Sequence, residues 1–138
     1  MKEMQDRDLL RQAVAARAFA YSPYSGYQVG AALLCEDGTV YTGCNVENIS
    51  YGGTICAERT AVVKAVSEGR QKFVKIAVSV SGEEPGIPCG LCLQFLSEFV
   101  DSEFILICGN CRDEYTVYSF KEILPAVFRS AAVHKAGE

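Results

Sequence analysis

Apolar residues in this chain alternate between a helical period and the short runs typical of buried strands, and this alternation limits the fold more than any other feature does. Segment 6–20 has the period of an amphipathic helix, and segment 89–100 returns to that period. Segments 73–81 and 104–108 are short and apolar, and each contains several valine, isoleucine or leucine residues. Helices and strands that alternate along a whole chain predict an α/β fold.

A predicted hairpin and a predicted helix lie between those segments. Segments 27–34 and 39–42 flank a turn at Gly38, where an Asp-Gly pair tolerates positive φ. Further along, Thr54 is placed to cap a helix that begins near Cys56, because its hydroxyl can accept a hydrogen bond from a free backbone N–H. The first half of the chain therefore predicts two paired strands followed by a helix.

The end of the chain adds a strand and a short helix. Segment 115–118 reads as the last strand, and Ser119 is placed to cap a helix that Pro125 stops. His134 lies in a polar tail, where we expect a solvated side chain. We predict one domain over residues 1–138, a three-layer αβα sandwich with helices on both faces of a mixed sheet of about five strands.

Composition narrows the class of protein. The 138 residues suit one domain, and 49% hydrophobic with 22% charged residues is ordinary for a soluble globule. A net charge of −4 argues against nucleic acid as a partner, because binding phosphates needs a basic surface. No run approaches the roughly 20 apolar residues of a membrane helix, so no membrane partner is expected. Seven cysteines and a polar N-terminus without an apolar signal segment predict a reducing cytoplasm.

Three of those cysteines have the spacing of a metal site with a carboxylate beside it. Cys56 precedes Glu58 by two residues, and Cys89 and Cys92 form a C-x-x-C pair after Pro88. Three protein ligands leave the fourth position of zinc for water, and a glutamate that does not bind the metal can move the protons of that water. These two halves match the zinc nucleobase deaminase signature in its three-cysteine variant.

Arg59 is a candidate partner of the thiolates. Three thiolates on a divalent ion leave a net negative site, and a guanidinium that donates hydrogen bonds to the sulfurs would offset that charge. Both halves of the motif are predicted to open a helix, where free backbone N–H groups favour an anionic sulfur.

A structural zinc site is the competing interpretation. Cys108 and Cys111 form a second C-x-x-C pair, and the fifteen residues 93–107 between the pairs fit the spacing of a zinc ribbon that would use Cys89 and Cys92 as well. Segment 93–107 is predicted as a helix and a buried strand, whereas a ribbon holds its pairs on facing knuckles. The ribbon also gives no role to Cys56 and Glu58, so a noncatalytic zinc module is the weaker interpretation.

Beyond the metal motif, several segments resemble one family in that family's order. They are Tyr21-Ser22-Pro23-Tyr24-Ser25, Val29-Gly30-Ala31-Ala32-Leu33, Gly43-Cys44-Asn45-Val46-Glu47-Asn48, Ser50-Tyr51-Gly52 and Thr54-Ile55-Cys56-Ala57-Glu58-Arg59-Thr60-Ala61. Over nearly all its length the chain resembles the short, tetrameric type of cytidine deaminase. Several segments in register are far more specific than one C-x-x-C pair. The resemblance implies the cytidine deaminase-like form of the αβα sandwich.

That resemblance implies hydrolytic deamination of cytidine and 2′-deoxycytidine to the uridines, with release of ammonia, in cytoplasmic pyrimidine salvage. It implies one zinc ion per chain, held by Cys56, Cys89 and Cys92. Glu58 would take a proton from water, deliver it to the ring nitrogen beside C4 and later protonate the departing amine. The backbone around Ala57 and Cys89 would hold the pyrimidine.

The resemblance also implies a nucleoside pocket shared between subunits. Asn45 and Glu47 match a pair that binds ribose, and Tyr27 matches an aromatic residue that packs on the base. Phe128 matches a residue that enters a neighbouring subunit's site, and Tyr51 is a candidate for the same role. A homotetramer with shared active sites and a small nucleoside substrate is therefore expected.

Three positions depart from the family pattern. Leu93 stands where arginine is usual directly after the second cysteine of the C-x-x-C pair, although Gln94 is kept. Tyr27 replaces the more usual phenylalanine, and Gly53 lies where a larger apolar residue is common. These changes keep a modified cytosine nucleoside or an aminopyrimidine antibiotic open as the substrate.

Overall fold

The computed structural model describes residues 5–129, so the predicted domain span of 1–138 extends beyond the described residues, and His134 lies outside them. Within 5–129 the helices are α1 (Asp6–Arg17), α2 (Ala57–Ser67), α3 (Gly90–Leu96) and α4 (Phe120–Ile123), with a 3₁₀ turn at Tyr51–Gly53. The strands are β1 (Val29–Cys35), β2 (Val40–Cys44), β3 (Phe73–Val80), β4 (Ile105–Gly109) and β5 (Tyr115–Ser119). None of the helices in this part of the chain is long and apolar enough to cross a membrane.

The strands form one mixed sheet in the order β2-β1-β3-β4-β5. β3 and β4 run parallel, and the other neighbours are antiparallel. The hairpin between β1 and β2 turns at Gly38, whose φ is 90°. The Cys35 N–H donates a hydrogen bond to Thr39 O at 2.8 Å and closes the turn. The predicted five-stranded mixed sheet and its first hairpin are therefore confirmed.

Helices cover both faces of the sheet, as the sequence predicts. On one face α1 packs through Leu9 and Ala13 against Ala32 and Ala77. On the other face the larger core joins α2, α3 and α4 to the sheet. Its fully buried members include Ala31, Leu33, Ala61, Val62, Ile76, Leu96, Leu106 and Phe120. This second face carries the two helices that begin at the metal motif.

Two glycines let helices lie directly on the sheet. A Cβ on Gly30 would lie 2.0 Å from Ala13 O, so α1 touches β1 at backbone distance. A Cβ on Gly43 would lie 2.6 Å from both Ala57 O and Ala61 N, so the first turns of α2 rest on β2. The position of Ala57, next to Cys56 and Glu58, is therefore fixed by backbone contact.

Some local details differ from the sequence prediction. Thr54 is not the cap of α2: Cys56 is the N-cap residue, and the Thr54 hydroxyl accepts a hydrogen bond from Asn48 N–H at 3.2 Å instead. The helix expected over 89–100 ends at Leu96, and the Ser97 hydroxyl donates a hydrogen bond to the carbonyl of Gln94 in its last turn. The cap predicted at Ser119 is confirmed as a capping box with α4.

Candidate metal centre and active site

Two helices begin at the two halves of the cysteine motif. Cys56 is the N-cap residue of α2, and Cys89 is the N-cap residue of α3. Both have extended backbone, with ψ of 157° and 167°, and neither makes a side-chain capping bond. Their sulfurs are thus free to face a ligand next to the unpaired N–H groups of a first helical turn, which stabilise an anionic thiolate.

The sulfurs of Cys56, Cys89 and Cys92 lie within 4.8 Å of one another. Cys89 Sγ and Cys92 Sγ are 3.6 Å apart. Tetrahedral zinc with Zn–S bonds of about 2.3 Å requires sulfurs about 3.8 Å apart. Both the donor set and its spacing therefore fit zinc, and the structure brings together the three ligands that the sequence predicts.

Arg59 approaches this cluster from the first turn of α2. Its Nη2 lies 3.6 Å from Cys56 Sγ and 3.4 Å from Thr54 O. Its buried Nε has no hydrogen-bond partner among the described residues. Hydrogen bonds from the Cys92 thiol and from Arg59 lower the pKa of Cys56 to about 5. Donation to the Cys56 thiolate, together with burial, raises the pKa of Cys92.

Glu58 is a carboxyl buried beside the thiol cluster, with 5% of its surface exposed. Burial raises its pKa to about 7, and the Cys56 thiolate adds to the effect, while Arg59 opposes it. A carboxyl in such a position exchanges its proton near neutral pH, as a general acid and base must. The structure therefore buries the Glu58 carboxyl beside the sulfur cluster, and its catalytic role stays a prediction.

Asn45 and Glu47 lie in the loop after β2, and their side chains hold the segment before β1. Asn45 Nδ2 donates to Tyr27 O at 2.8 Å, and Asn45 Oδ1 accepts from Val29 N–H at 3.0 Å. Glu47 accepts hydrogen bonds from the backbone N–H groups of Tyr24 and Ser25, at 2.9 and 3.1 Å, and from the Ser25 hydroxyl. These bonds lower the pKa of the Glu47 carboxyl.

The aromatic residues expected at the pocket differ in their exposure. The Tyr27 ring lies against Gly82, and burial, together with the charge of Glu58, raises the pKa of its hydroxyl. Tyr51 is 73% exposed and packs edge-on against Tyr24, with ring centroids 6.0 Å apart. In this single chain most of the Tyr51 side chain is therefore left uncovered.

Phe128 is 66% exposed, but its backbone is fixed to α3 by Gln94. Gln94 Nε2 donates to Phe128 O at 2.7 Å, and Phe128 N–H donates to Gln94 Oε1 at 3.3 Å. Sequence reasoning assigned Gln94 no role beyond following Leu93. No local pattern signals a side chain that bonds to backbone 34 residues away.

The structure contradicts the zinc-ribbon interpretation. Cys108 is fully buried in β4, where burial raises its pKa to about 12, and it is not part of the sulfur cluster. Cys111 lies in the turn after β4, and its backbone N–H donates to Gly82 O. The ribbon interpretation fails because the Cys108 thiol is buried in the core and lies outside the sulfur cluster that Cys89 and Cys92 form with Cys56.

Comparisons with known proteins agree with this geometry. The family model described as "Cytidine and deoxycytidylate deaminase zinc-binding region" matches residues 3–108. A cytidine deaminase from Halalkalibacterium halodurans is 46% identical over 125 residues, which are 91% of this chain and 95% of that protein. A cytidine deaminase from Sporosarcina psychrophila is 42% identical over 135 residues, 98% of this chain and 99% of that protein.

The chain belongs to the cytidine and deoxycytidylate deaminase family. Its fold agrees: the 1.6 Å crystal structure of cytidine deaminase from Burkholderia pseudomallei aligns with a TM-score of 0.87 at 42% identity, covering 91% of this chain and all of that one. The matched zinc-binding region contains Cys56, Cys89, Cys92 and Glu58. The predicted family, fold and zinc cofactor are thus confirmed.

Leu93 is the departure from the family pattern that lies nearest the metal cluster. Its side chain is 5% exposed and packs in the core with residues of α2 and the sheet. It brings no charge to the sulfurs, so Arg59 is the cation that faces them. Gly53, another departure, ends an exposed 3₁₀ turn, and the described atoms that an added Cβ there would meet belong to Asn48, at 3.8 Å or more.

Proposed function

We propose that this chain catalyses the hydrolytic deamination of cytidine and 2′-deoxycytidine to uridine and 2′-deoxyuridine, with release of ammonia. The observation that carries the proposal is a carboxyl, Glu58, buried beside three sulfurs whose spacing fits zinc. The relatives named cytidine deaminase, which match over nearly the whole chain, support the same reaction. They do not favour the alternative substrates.

In this proposal Cys56, Cys89 and Cys92 hold zinc, with Arg59 offsetting their charge. Zinc at such a site supplies a Lewis acid that makes water nucleophilic near neutral pH. Glu58 takes one proton from the attacking water and gives it to the ring nitrogen beside C4, so that the water oxygen bonds to C4. It then moves the second water proton to the amino group, the C4–N bond breaks, and ammonia leaves with a carbonyl formed at C4.

The nucleoside itself is held by residues around Glu58. The backbone at Ala57 and Cys89 bonds to the pyrimidine, and Tyr27, whose hydroxyl pKa is raised by burial and by the Glu58 charge, packs on the base. Asn45 and Glu47 bind the ribose hydroxyls. The existing hydrogen bonds of both side chains fix their orientation, and each keeps hydrogen-bonding capacity for a sugar: an amide N–H on Asn45 and a lone pair on Glu47.

Ammonia release from cytidine by zinc-loaded protein tests the proposal, with Glu58→Gln as the matched control. Gln retains the shape of Glu58 but cannot shuttle protons, so the variant is expected to bind zinc, remain folded and lose at least about 100-fold in kcat. Absence of turnover by the native chain, with zinc bound and the fold intact, would show that the proposed reaction is wrong. A native-like rate of ammonia release by Glu58→Gln would show that Glu58 takes no part in the reaction.

We also propose that the active protein is a homotetramer with shared active sites, working in cytoplasmic pyrimidine salvage. The exposed rings of Tyr51 and Phe128 support shared sites, because large aromatic side chains are usually covered by protein. Gln94 holds the Phe128 backbone, so that the ring is presented in a fixed direction.

Mixed oligomers test the shared site directly. Phe128→Ala and Glu58→Gln are expected to be poorly active alone. A mixture assembled by co-expression would contain sites with Glu58 from one subunit and Phe128 from another, and activity would return. Light scattering on the same samples gives the number of subunits. Lack of any recovery in mixed oligomers, or a monomer with full activity, would contradict the shared site.

A further inference from the structure

The loop that leads into Cys89, residues 82–88, is held by the turn between β4 and β5. It has no helix or strand of its own. Gly86 N–H donates to Gly109 O at 3.0 Å, and Cys111 N–H donates to Gly82 O at 2.9 Å. A Cβ on Gly86 would lie 2.4 Å from Val80 Cγ1, so the loop also lies directly on β3. The position of this loop sets where Cys89 begins α3.

Asn110 is the side chain that joins the turn to this loop. It is 5% exposed, and four hydrogen bonds use its amide fully. Its Oδ1 accepts from the backbone N–H groups of Arg112 and Glu114, at 2.9 and 3.1 Å. Its Nδ2 donates to Glu114 Oε1 at 2.8 Å and to Glu83 O, in the loop, at 3.0 Å.

Of the four hydrogen bonds of the Asn110 side chain, the bond to Glu83 O is the one that is not made within the turn between β4 and β5. An asparagine that only forms a turn bonds to its own backbone two or more residues on, as Asn110 does to Arg112 and Glu114. Reaching 27 residues back to Glu83 restrains a different segment. An exposed ion pair from Arg112 to Glu83, at 3.0 Å, ends on the same loop residue, but both side chains are more than half exposed and the pair adds little.

We infer that Asn110 is a positioning residue for the metal centre: through Glu83 it fixes the loop that places Cys89 against Cys56 and Cys92. The inference rests on the proposed zinc ligation by these three cysteines. Groups that orient metal ligands without touching the metal change metal affinity by about 10- to 100-fold when substituted. Asn110 acts through backbone, one step further away, so the expected effect is at the lower end, about tenfold.

The double variant Asn110→Asp with Glu114→Gln isolates the bond to the loop. Aspartate keeps an oxygen for the N–H groups of Arg112 and Glu114 but cannot donate to Glu83 O. Glutamine at 114 restores the lost bond within the turn, because its amide donates to the new carboxylate. Glu114→Gln alone is the matched control, since its side-chain oxygen still accepts from Asn110. Like the double variant, it loses the exposed ion pair between Arg112 and Glu114, so that loss is common to both proteins.

The measurement is the rate at which zinc passes from zinc-loaded protein to a coloured chelator, with the melting temperature recorded beside it. We expect zinc release about tenfold faster in the double variant and a native rate in Glu114→Gln. If the double variant released zinc at the native rate but had a lower melting temperature, Asn110 would have a purely structural role and the inference would be overturned. A double variant that does not fold, while Glu114→Gln folds, would overturn it in the same way. Failure of the native chain to take up zinc would overturn both the inference and the proposed ligation.

Discussion

Substitution of Gly43 by alanine tests whether backbone contact between β2 and α2 fixes the active site. The added Cβ would lie 2.6 Å from Ala57 O, 2.6 Å from Ala61 N and 2.9 Å from Thr60 Cβ. The first two atoms belong to the backbone of α2, so no side-chain rotation relieves the overlap. The helix that carries Glu58 must move away from the sheet.

The size of that movement follows from the distances. Ordinary contact begins at 3.4 Å, so a separation of 2.6 Å requires a shift of about 0.8 Å. Overpacking of this kind costs about 1–3 kcal/mol. With an unfolding entropy of about 2.1 cal/mol/K per residue, roughly 0.29 kcal/mol/K for the whole chain, a cost of about 2 kcal/mol lowers Tm by about 7 °C. A misplacement near 1 Å costs catalysis about 100-fold.

Thermal unfolding followed by circular dichroism, and kcat/KM for cytidine, are the two assays. Gly52→Ala is the stability control, because no described heavy atom outside its two chain neighbours lies within 4 Å of a Cβ at that position. We expect Gly43→Ala to lower both Tm and kcat/KM, and Gly52→Ala to leave Tm unchanged. A Gly43→Ala protein with Tm within about 1 °C of the native value and native kcat/KM would refute the proposed role of this contact.

Three further outcomes are expected. Arg59→Lys keeps the charge but not the guanidinium fork at the sulfurs, so zinc passes to a chelator about tenfold faster. Leu96→Ala leaves a cavity in the core between α3 and the sheet and lowers the free energy of unfolding in denaturant by at least about 2 kcal/mol. Folding lowers the pKa of Glu47, so its ionised carboxylate stabilises the folded state at pH values above the pKa that Glu47 has in the unfolded chain. That stabilisation is lost as the pH falls through the pKa of Glu47 in the folded chain. The Tm of Glu47→Gln therefore lies below that of the native protein at pH 7, and the gap narrows below about pH 4.

Sequence signals that act over a few residues predicted much of the fold and the metal site. An Asp-Gly pair fixes the turn at Gly38 whatever the rest of the chain does, and Ser119 with Glu122 forms a capping box within one turn of helix. A C-x-x-C pair at the start of a helix puts two sulfurs on one face, as Cys89 and Cys92 show. These features need no knowledge of tertiary structure.

Contacts between distant segments could not be predicted in this way. Nothing near Gly43 in the sequence shows that a helix lies on it, because the helix that does so starts fourteen residues later. Asn110 has the sequence context of any turn asparagine, and its bond to Glu83 exists only because β3 and β4 are neighbours. The cap assigned to Thr54 was wrong for a more local reason, because its hydroxyl accepts a hydrogen bond from Asn48 N–H, six residues earlier in the same loop.

Asn45 and Glu47 show how the fold and the proposed site share the same side chains. Glu47 accepts three hydrogen bonds from Tyr24 and Ser25, of about four that a carboxylate can accept. Asn45 ties Tyr27 O to Val29 N–H and so fixes the segment that carries the Tyr27 ring. A sugar would therefore meet groups that are already oriented, which reduces the entropy lost on binding. Because substitution of either residue removes loop structure and sugar contact together, the two roles separate only when the substrate's hydroxyls are changed and the protein is left as it is.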